Sequence, residues 1–252
     1  MLSKKIVKYI QSLTHKKLRD EENRFIAEGP KVVEELLLSK NFDCAILCAS
    51  EEWLNENKDA FTKVLAENIH EVDEIMLQKI SHLKTANQVV AVFDKKAQQN
   101  VPNVGNKISI MLDNIQDPGN LGTIIRIADW FGIENIICSD NCVDCYNPKV
   151  VQATMGSLGR VNIYYTSLTS FLDENKNLSV YAAALAGIPV YDLKEVTEGI
   201  ILIGNEAHGI DAGLMKQATK KITIPKYGQA ESLNAAVATG IILSHIRSKG
   251  FR

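Results

Sequence analysis

The second half of the chain restricts the fold most. From Lys107 onward, short and almost wholly apolar runs recur: ISIMLDN (108–114), ENIICS (134–139), VNIYY (161–165), SVYAAAL (179–185), IILIGNE (200–206) and KITIP (221–225). Most are separated by helix-patterned segments: GTIIRIADWF (122–131), NPKVVQATMGSL (147–158), LTSFLDENK (168–176) and DAGLMKQAT (211–219), with SLNAAVATGIILSHIRSK (232–249) as a long final helix. A strand that alternates apolar with polar residues covers one face; a strand that is apolar throughout is buried on both. Such strands alternating with helices predict a parallel sheet covered on both sides. Parallel sheets bind ligands beyond the carboxyl ends of their strands. The loops to inspect therefore follow Leu112, Leu185, Ile203 and Ile224.

The first half reads as a smaller α/β unit. EGPKVVEELLLSK places Pro30 in a first helical turn and Val32, Val33, Leu36 and Leu37 on one face. CAILC (44–48) and QVVAVFD (88–94) read as strands, SEEWLNENKDAFTKVLAE (50–67) as a helix capped by Ser50, and DEIMLQKISHL (73–83) as another helix. The polar stretch with Pro102 and Gly105 reads as a linker. The division is then 1–98, a linker over 99–106, and 107–252.

Formal net charge is −2, so an acidic partner must be met by local patches rather than by overall charge. One stands out: before Asp20 there are six basic residues (Lys4, Lys5, Lys8, Lys16, Lys17, Arg19) and no acidic one. Leu2, Ile6, Ile10 and Leu13 recur at helical spacing beside them. This is either a phosphate-contacting helix or an amphipathic helix whose solvated face is basic. No apolar run has the length of a membrane span, and the start has no cleavable hydrophobic stretch, so a cytoplasmic location without membrane contact is expected.

Five cysteines without an export signal suggest reduced thiols. Cys138, Cys142 and Cys145 have the C-x3-C-x2-C spacing of radical S-adenosylmethionine iron–sulfur sites. Those enzymes carry it after the first strand of a barrel, whereas 107 residues follow Cys145, too few for the remaining repeats. Asp144 also stands where an aromatic is usual. The reading kept is a buried thiol at a strand end and two loop thiols, with no metal.

Several residues could do chemistry. DPGNLG (117–122) has the small residues and helix start that receive an anion, though a βα turn needs glycine for geometry alone. Arg126, two turns from Asn120, could clamp a phosphate bidentately or simply emerge into solvent. Glu206 is a candidate acid or a backbone acceptor. Ser232 and Asn234 open the final helix, where both are ordinary caps.

Taken together, DNIQDPGNLGTIIRIADWFG, IGNEAHGI and IPKYGQAESLNAAVATGI resemble, in order and spacing, the three motifs of the SpoU (TrmH-like) RNA 2′-O-ribose methyltransferases of the SPOUT superfamily. The segment NRFIAEGPKVVEELL is similar to the substrate-binding domain of many members. The resemblance implies a C-terminal parallel-sheet domain closed by a trefoil knot, a small N-terminal α/β RNA-binding domain, a homodimer, and S-adenosyl-L-methionine bound by the knot loops. It implies cofactor contacts from Leu185, Ala186, Gly187, Gly204, Asn205, Ile224, Ser232 and Leu233, and catalytic roles for Asn120, Arg126, Glu206, Ser232 and Asn234. A guanidinium keeps its proton across the accessible pH range, so Arg126 is cast as fixing a phosphate and stabilising alkoxide charge. Large-subunit ribosomal RNA is the expected substrate, with transfer RNA the alternative. A non-catalytic RNA-binding or assembly protein of the same fold is a rival reading. A nucleotide-binding oxidoreductase would need G-x-G-x-x-G after the first strand, and the turn here has G-x-x-G.

Overall fold

The computed structural model describes residues 2–97 and 104–248, and its contacts group into two compact units. The first comprises the residues up to Ala97 together with Asp144–Arg160; the second comprises the remainder. The break is therefore not a single cut. Residues 99–103 of the expected linker lie outside the described residues.

In the first unit, α1 (Lys4–Ser12) and α2 (Lys16–Glu22) precede β1 (Arg24–Glu28), followed by α3 (Pro30–Leu38), β2 (Cys44–Ala49), α4 (Glu51–Glu56), β3 (Ile69–Glu71), α5 (Glu74–Ile80) and β4 (Val89–Asp94). The sheet order is β1-β4-β2-β3; β4 pairs antiparallel with β1 and β2, and β3 pairs parallel with β2. Two strands were not anticipated. β1 has only Phe25, Ile26 and Ala27 between the charged Arg24 and Glu28, and β3 is three residues long, so neither stands out as an apolar run. The helix expected over 50–67 ends at Glu56, where the Asn57 amide donates to the Trp53 carbonyl, and a 3-10 turn over Lys58–Phe61 follows. Ser50 caps it as expected.

The basic N-terminal segment is two helices broken at 13–15, and its charges divide. Lys4, Lys5, Lys8, Lys16 and Lys17 are exposed. Arg19 is not: its guanidinium is buried against Asp144, with Nη2 at 2.6 Å from Oδ2, and Nη1 donates to the Leu13 and Thr14 carbonyls. It leaves the solvated patch and holds the helix break instead. Nearby, α7 (Pro148–Thr154) packs against β1, and Tyr146 lies against the Phe25 ring with 4.8 Å between centroids.

The second unit contains β5 (Ile108–Leu112), α6 (Pro118–Trp130), β6 (Asn135–Cys138), β7 (Asn162–Tyr165), α8 (Leu168–Glu174), β8 (Val180–Pro189), β9 (Gly199–Ile203), α9 (Ala212–Gln217), β10 (Lys220–Thr223) and α10 (Ala235–Ser248). Its six strands run in the order β10-β8-β9-β5-β6-β7, and every pair is parallel. β5, β6 and β9 are buried along their whole length and apolar except at Ser109 and Asn135, as coverage on both faces requires. DPGN is the N-terminus of α6, with Asp117 as cap and Pro118 in the first turn, rather than a turn before it. α10 packs on α6, and Arg247 closes the end of α6 by donating to the Phe131 and Gly132 carbonyls. Among the described residues, no helix is long and apolar enough to cross a membrane.

Candidate active site

The parallel order puts the carboxyl ends of β10, β8, β9 and β5 side by side, so their four loops form one rim. The chain runs outward from β5 to β6 and β7 on one side and places β9 and β8 on the other. The β5/β9 boundary is thus the switch point at which parallel sheets open a crevice.

The loop after β5 is stapled on both sides. The Asp113 N–H donates to the Ile203 carbonyl at 2.9 Å, and its carboxylate accepts from the Asp211 N–H at 2.7 Å. Asn114 has a left-handed backbone with φ 56°, which an asparagine tolerates better than most residues. Its carbonyl accepts from Asn205 Nδ2 at 2.9 Å and its N–H donates to Ser139 Oγ at 2.9 Å. Asp117 then accepts from the Asn120 N–H at 2.8 Å and starts α6.

On this base three of the expected catalytic residues meet. Asn120 Nδ2 donates to Glu206 Oε1, and Asn120 Oδ1 accepts from Asn234 Nδ2 at 2.7 Å. A carboxylate only accepts, so Glu206 fixes which way the Asn120 amide points. Asn234 Oδ1 accepts in turn from the Ala236 and Val237 N–H groups at 3.0 and 3.2 Å, capping α10. The helix start lies at Ala235, three residues after the expected Ser232. One amide thereby ties together the loops after β5, β9 and β10.

Arg126 and Ser232 stand apart from this chain. Arg126 is exposed on the face of α6 shared with Thr123 and Trp130, and no carboxylate or carbonyl holds it among the described residues. Ser232 is exposed in the loop before α10 and likewise unpartnered among them.

The expected cofactor residues fall on three adjacent segments: the end of β8, which runs past Leu185 through Ala186 and Gly187 to Pro189 where a loop was expected, and the loops after β9 and β10. The β8–β10 register passes from Ala182↔Lys221 to Ile188↔Ile222, so 183–187 leave the ladder. Leu185 is exposed there, and its carbonyl accepts from Thr223 Oγ1 at 3.1 Å. Gly187 is needed for this close approach: a Cβ would sit 2.5 Å from the Lys221 carbonyl oxygen. Gly204 faces the same limit, since a Cβ would strike the Gly209 backbone. Asn205 exchanges backbone hydrogen bonds with Gly209, and its Oδ1 accepts from the Ala207 and His208 N–H groups at 2.8 and 3.1 Å. With Nδ2 on Asn114, the Asn205 side chain organises the loop. Ile224 is half-buried at the start of the third loop, while Leu233 is exposed near its end.

Sequence reasoning missed Asp113, Asn114, Asp117 and Asp211. Asp117 carried a signal, an acidic residue directly before a helix-starting proline. The others act across nearly a hundred residues of chain and carried none. Tyr227, 95% exposed beside Lys226 in the third loop, was also passed over.

An all-parallel sheet whose loops are joined by a Glu206–Asn120–Asn234 chain at its switch point defines a ligand-binding α/β frame. The chain belongs to the SpoU rRNA Methylase family, whose model matches residues 107–244; the MRM3-like substrate binding domain matches residues 4–91. It is 32% identical over 244 residues to the 23S rRNA (guanosine(2553)-2′-O)-methyltransferase RlmP of Bacillus subtilis, covering 96% of this chain and 95% of that protein. Among solved structures it is similar to a TrmH-family RNA methyltransferase described as putative from Porphyromonas gingivalis, with TM-score 0.86, 36% identity and 99% coverage of both chains. It is also similar to an AdoMet-bound rRNA methyltransferase from Sinorhizobium meliloti, with TM-score 0.87, 32% identity, and coverage of 100% of this chain and 97% of that one.

Proposed function

We propose that this protein methylates a ribose 2′-hydroxyl in large-subunit ribosomal RNA, using S-adenosyl-L-methionine. The observation that carries the reading is Asn120 bridging Glu206 and Asn234 at the mouth of the β5/β9 crevice.

The rim fits the cofactor. Gly187 and Gly204 keep backbone surfaces close where a side chain would intrude, and Leu185 and Leu233 offer exposed apolar walls, which suits a flat adenine with its polar edge read by main-chain groups. The cofactor supplies an electrophilic methyl group on a sulfonium. The protein's own residues must place the hydroxyl in line and stabilise the charge it develops. Arg126, unpaired among the described residues, is placed to hold the adjacent phosphate through its planar fork. Ser232 and the Asn120–Asn234 pair position the ribose, and Glu206 holds Asn120 in the orientation that does so. Proton removal falls to phosphate or water. Tyr227 and Lys226 add an exposed ring and an ammonium to the same rim, groups that suit a splayed base and its phosphate.

The same reading takes the protein as a cytoplasmic homodimer, with Arg126 acting near or across the dimer interface. Exposed Trp130 on α6 and Val237 on α10 support it. It takes 107–252 as the methyltransferase body with a trefoil knot, supported by β10 lying outside β8 at the sheet edge while α10 returns to α6. It takes 1–98 as the RNA-binding domain and 99–106 as the linker; residues 144–160 pack with the former.

Methyl transfer from labelled S-adenosylmethionine to unmodified large-subunit rRNA and to transfer RNA, followed by mapping of 2′-O-methyl positions, tests the function. Incorporation at one ribose of the rRNA is expected. Incorporation into transfer RNA alone overturns the substrate, and cofactor binding without incorporation into either RNA favours the non-catalytic reading.

A further inference from the structure

The cysteine spacing noted in the sequence finds no use in methyl transfer, yet one of its thiols, Cys142, is hydrogen-bonded to the loop that leads to Asn120, and Cys138 is its neighbour. Cys138 ends β6, wholly buried, and Cys142 follows one turn later, 7% exposed. The two thiols are hydrogen-bonded to each other. Cys142 Sγ accepts from the Ile115 N–H at 3.2 Å and donates to the Leu112 carbonyl at 3.3 Å. Around it, Ser139 Oγ takes the Asn114 N–H, and the Val143 N–H donates to the Ile115 carbonyl. The segment 112–115 is therefore clipped to the 139–143 loop, with a thiol at the centre of the clip. That segment carries Asp113 and Asn114, which anchor the β9 loop, and leads directly to Asn120.

We propose that Cys138 and Cys142 are an oxidation site, at which a peroxide converts the pair to an intramolecular disulfide that unclips the loop carrying Asn120. Cys142 is the attacking thiol because it is the one with exposed surface. Its hydrogen bonds from Cys138, Ser139 and the Ile115 N–H outweigh burial and bring its pKa down to about 7, whereas burial pushes Cys44 and Cys48 up to about 12. At neutral pH it supplies thiolate where the other two do not. The thiolate displaces hydroxide from the peroxide: the O–O bond breaks, an S–O bond forms, and Cys142 becomes a sulfenic acid. The Cys138 sulfur then attacks the Cys142 sulfur, an S–S bond forms, and the oxygen leaves as water with the Cys138 proton. The peroxide is reduced by two electrons and the thiol pair oxidised by two. A disulfide sulfur has no proton for the Leu112 carbonyl and is a weaker acceptor for Ile115. Disulfides are rare in reducing compartments, and those that do form there are usually transient and catalytic or redox-sensing.

The test uses the full-length protein, reduced, treated with hydrogen peroxide, and quenched with catalase. Alkylation followed by intact mass should count three free thiols in place of five, with peptide mapping joining 138 to 142. Hydrogen exchange at 112–121 should quicken. Methyl transfer, which rests on the proposed function, should fall roughly tenfold, as expected for losing one or two buried hydrogen bonds, and recover with dithiothreitol. Cys138→Ser should stop at a Cys142 sulfenic acid trapped by dimedone. Five alkylatable thiols after peroxide, a link elsewhere, or a 138–142 disulfide with unchanged exchange at 112–121 overturns the proposal. If the reduced protein methylates neither RNA, the functional reading fails while the thiol count and exchange still decide this one.

Discussion

The two units use charge in opposite ways. In the first, Arg19 is buried and gives four hydrogen bonds to fixed partners, namely Asp144 and the Leu13 and Thr14 carbonyls. Glu28, 5% exposed, accepts from Ser81 Oγ and from the His82 N–H, with His82 Nδ1 at 3.0 Å. In the second, Arg126 and Ser232 are exposed and unpartnered among the described residues, and Glu206 is half-buried with Asn120. Buried ions held by several fixed partners cost too much to move, so they define structure. Polar groups with spare valences at the mouth of a parallel sheet are the ones a ligand can use.

The largest effect should come from breaking a saturated pair. Asp144→Ala strands a buried guanidinium, and a loss of about 3–5 kcal/mol is expected, read by denaturant unfolding of the full chain. A loss near that of an exposed pair, below about 1 kcal/mol, would mean that Arg19 reaches water and the contrast is false. Next is Arg126→Ala, which should lower turnover by about 10²–10³-fold while leaving S-adenosylmethionine affinity and stability within about twofold of wild type. A stability loss comparable to that of Asp144→Ala would place Arg126 among the structural charges instead.

The two units also differed in how far they could be read from sequence. The second was legible because β5, β6 and β9 are buried on both faces and so are apolar at nearly every position, Ser109 and Asn135 excepted, a local signal. Its motifs located Asn120, Glu206 and Asn234, which the structure joins, but the joining itself spans 86 and 114 residues and no local pattern encodes it. In the first unit β1 and β3 hold too few apolar residues to stand out. The basic run hid the fate of Arg19, because its partner lies 125 residues away. Composition shows that a charge exists; long-range packing decides whether it faces water.

Glu28 gives a smaller and pH-dependent test. Burial raises its pKa, but the hydrogen bonds from His82 and Ser81 outweigh burial and leave it below the ordinary value of 4.5. A carboxylate with a depressed folded-state pKa stabilises the fold above its unfolded pKa, and that contribution fades as pH falls through the lower folded value. Glu28→Gln, which turns an NH2 toward converging donors, should cost about 1–3 kcal/mol at neutral pH, and the gap from wild type should close below about pH 4. A gap that stays constant down to pH 3 would show that shape rather than charge sets the cost.

The exposed lysines of α1 and α2 should give the smallest effect, and they sharpen the contrast within one unit. Lys4, Lys5, Lys8, Lys16 and Lys17 share a segment with Arg19 but have solvent where it has Asp144. If they meet RNA phosphates, Lys8→Ala should leave stability unchanged, weaken RNA binding about twofold at moderate salt, and reduce the slope of log affinity against log salt by somewhat under one unit. The salt slope is the decisive readout, because a lost packing contact also weakens binding but releases no counterions. An unchanged slope for the single and the fivefold substitution would return these lysines to the role of a solvated helix face and move the RNA contacts of this unit elsewhere.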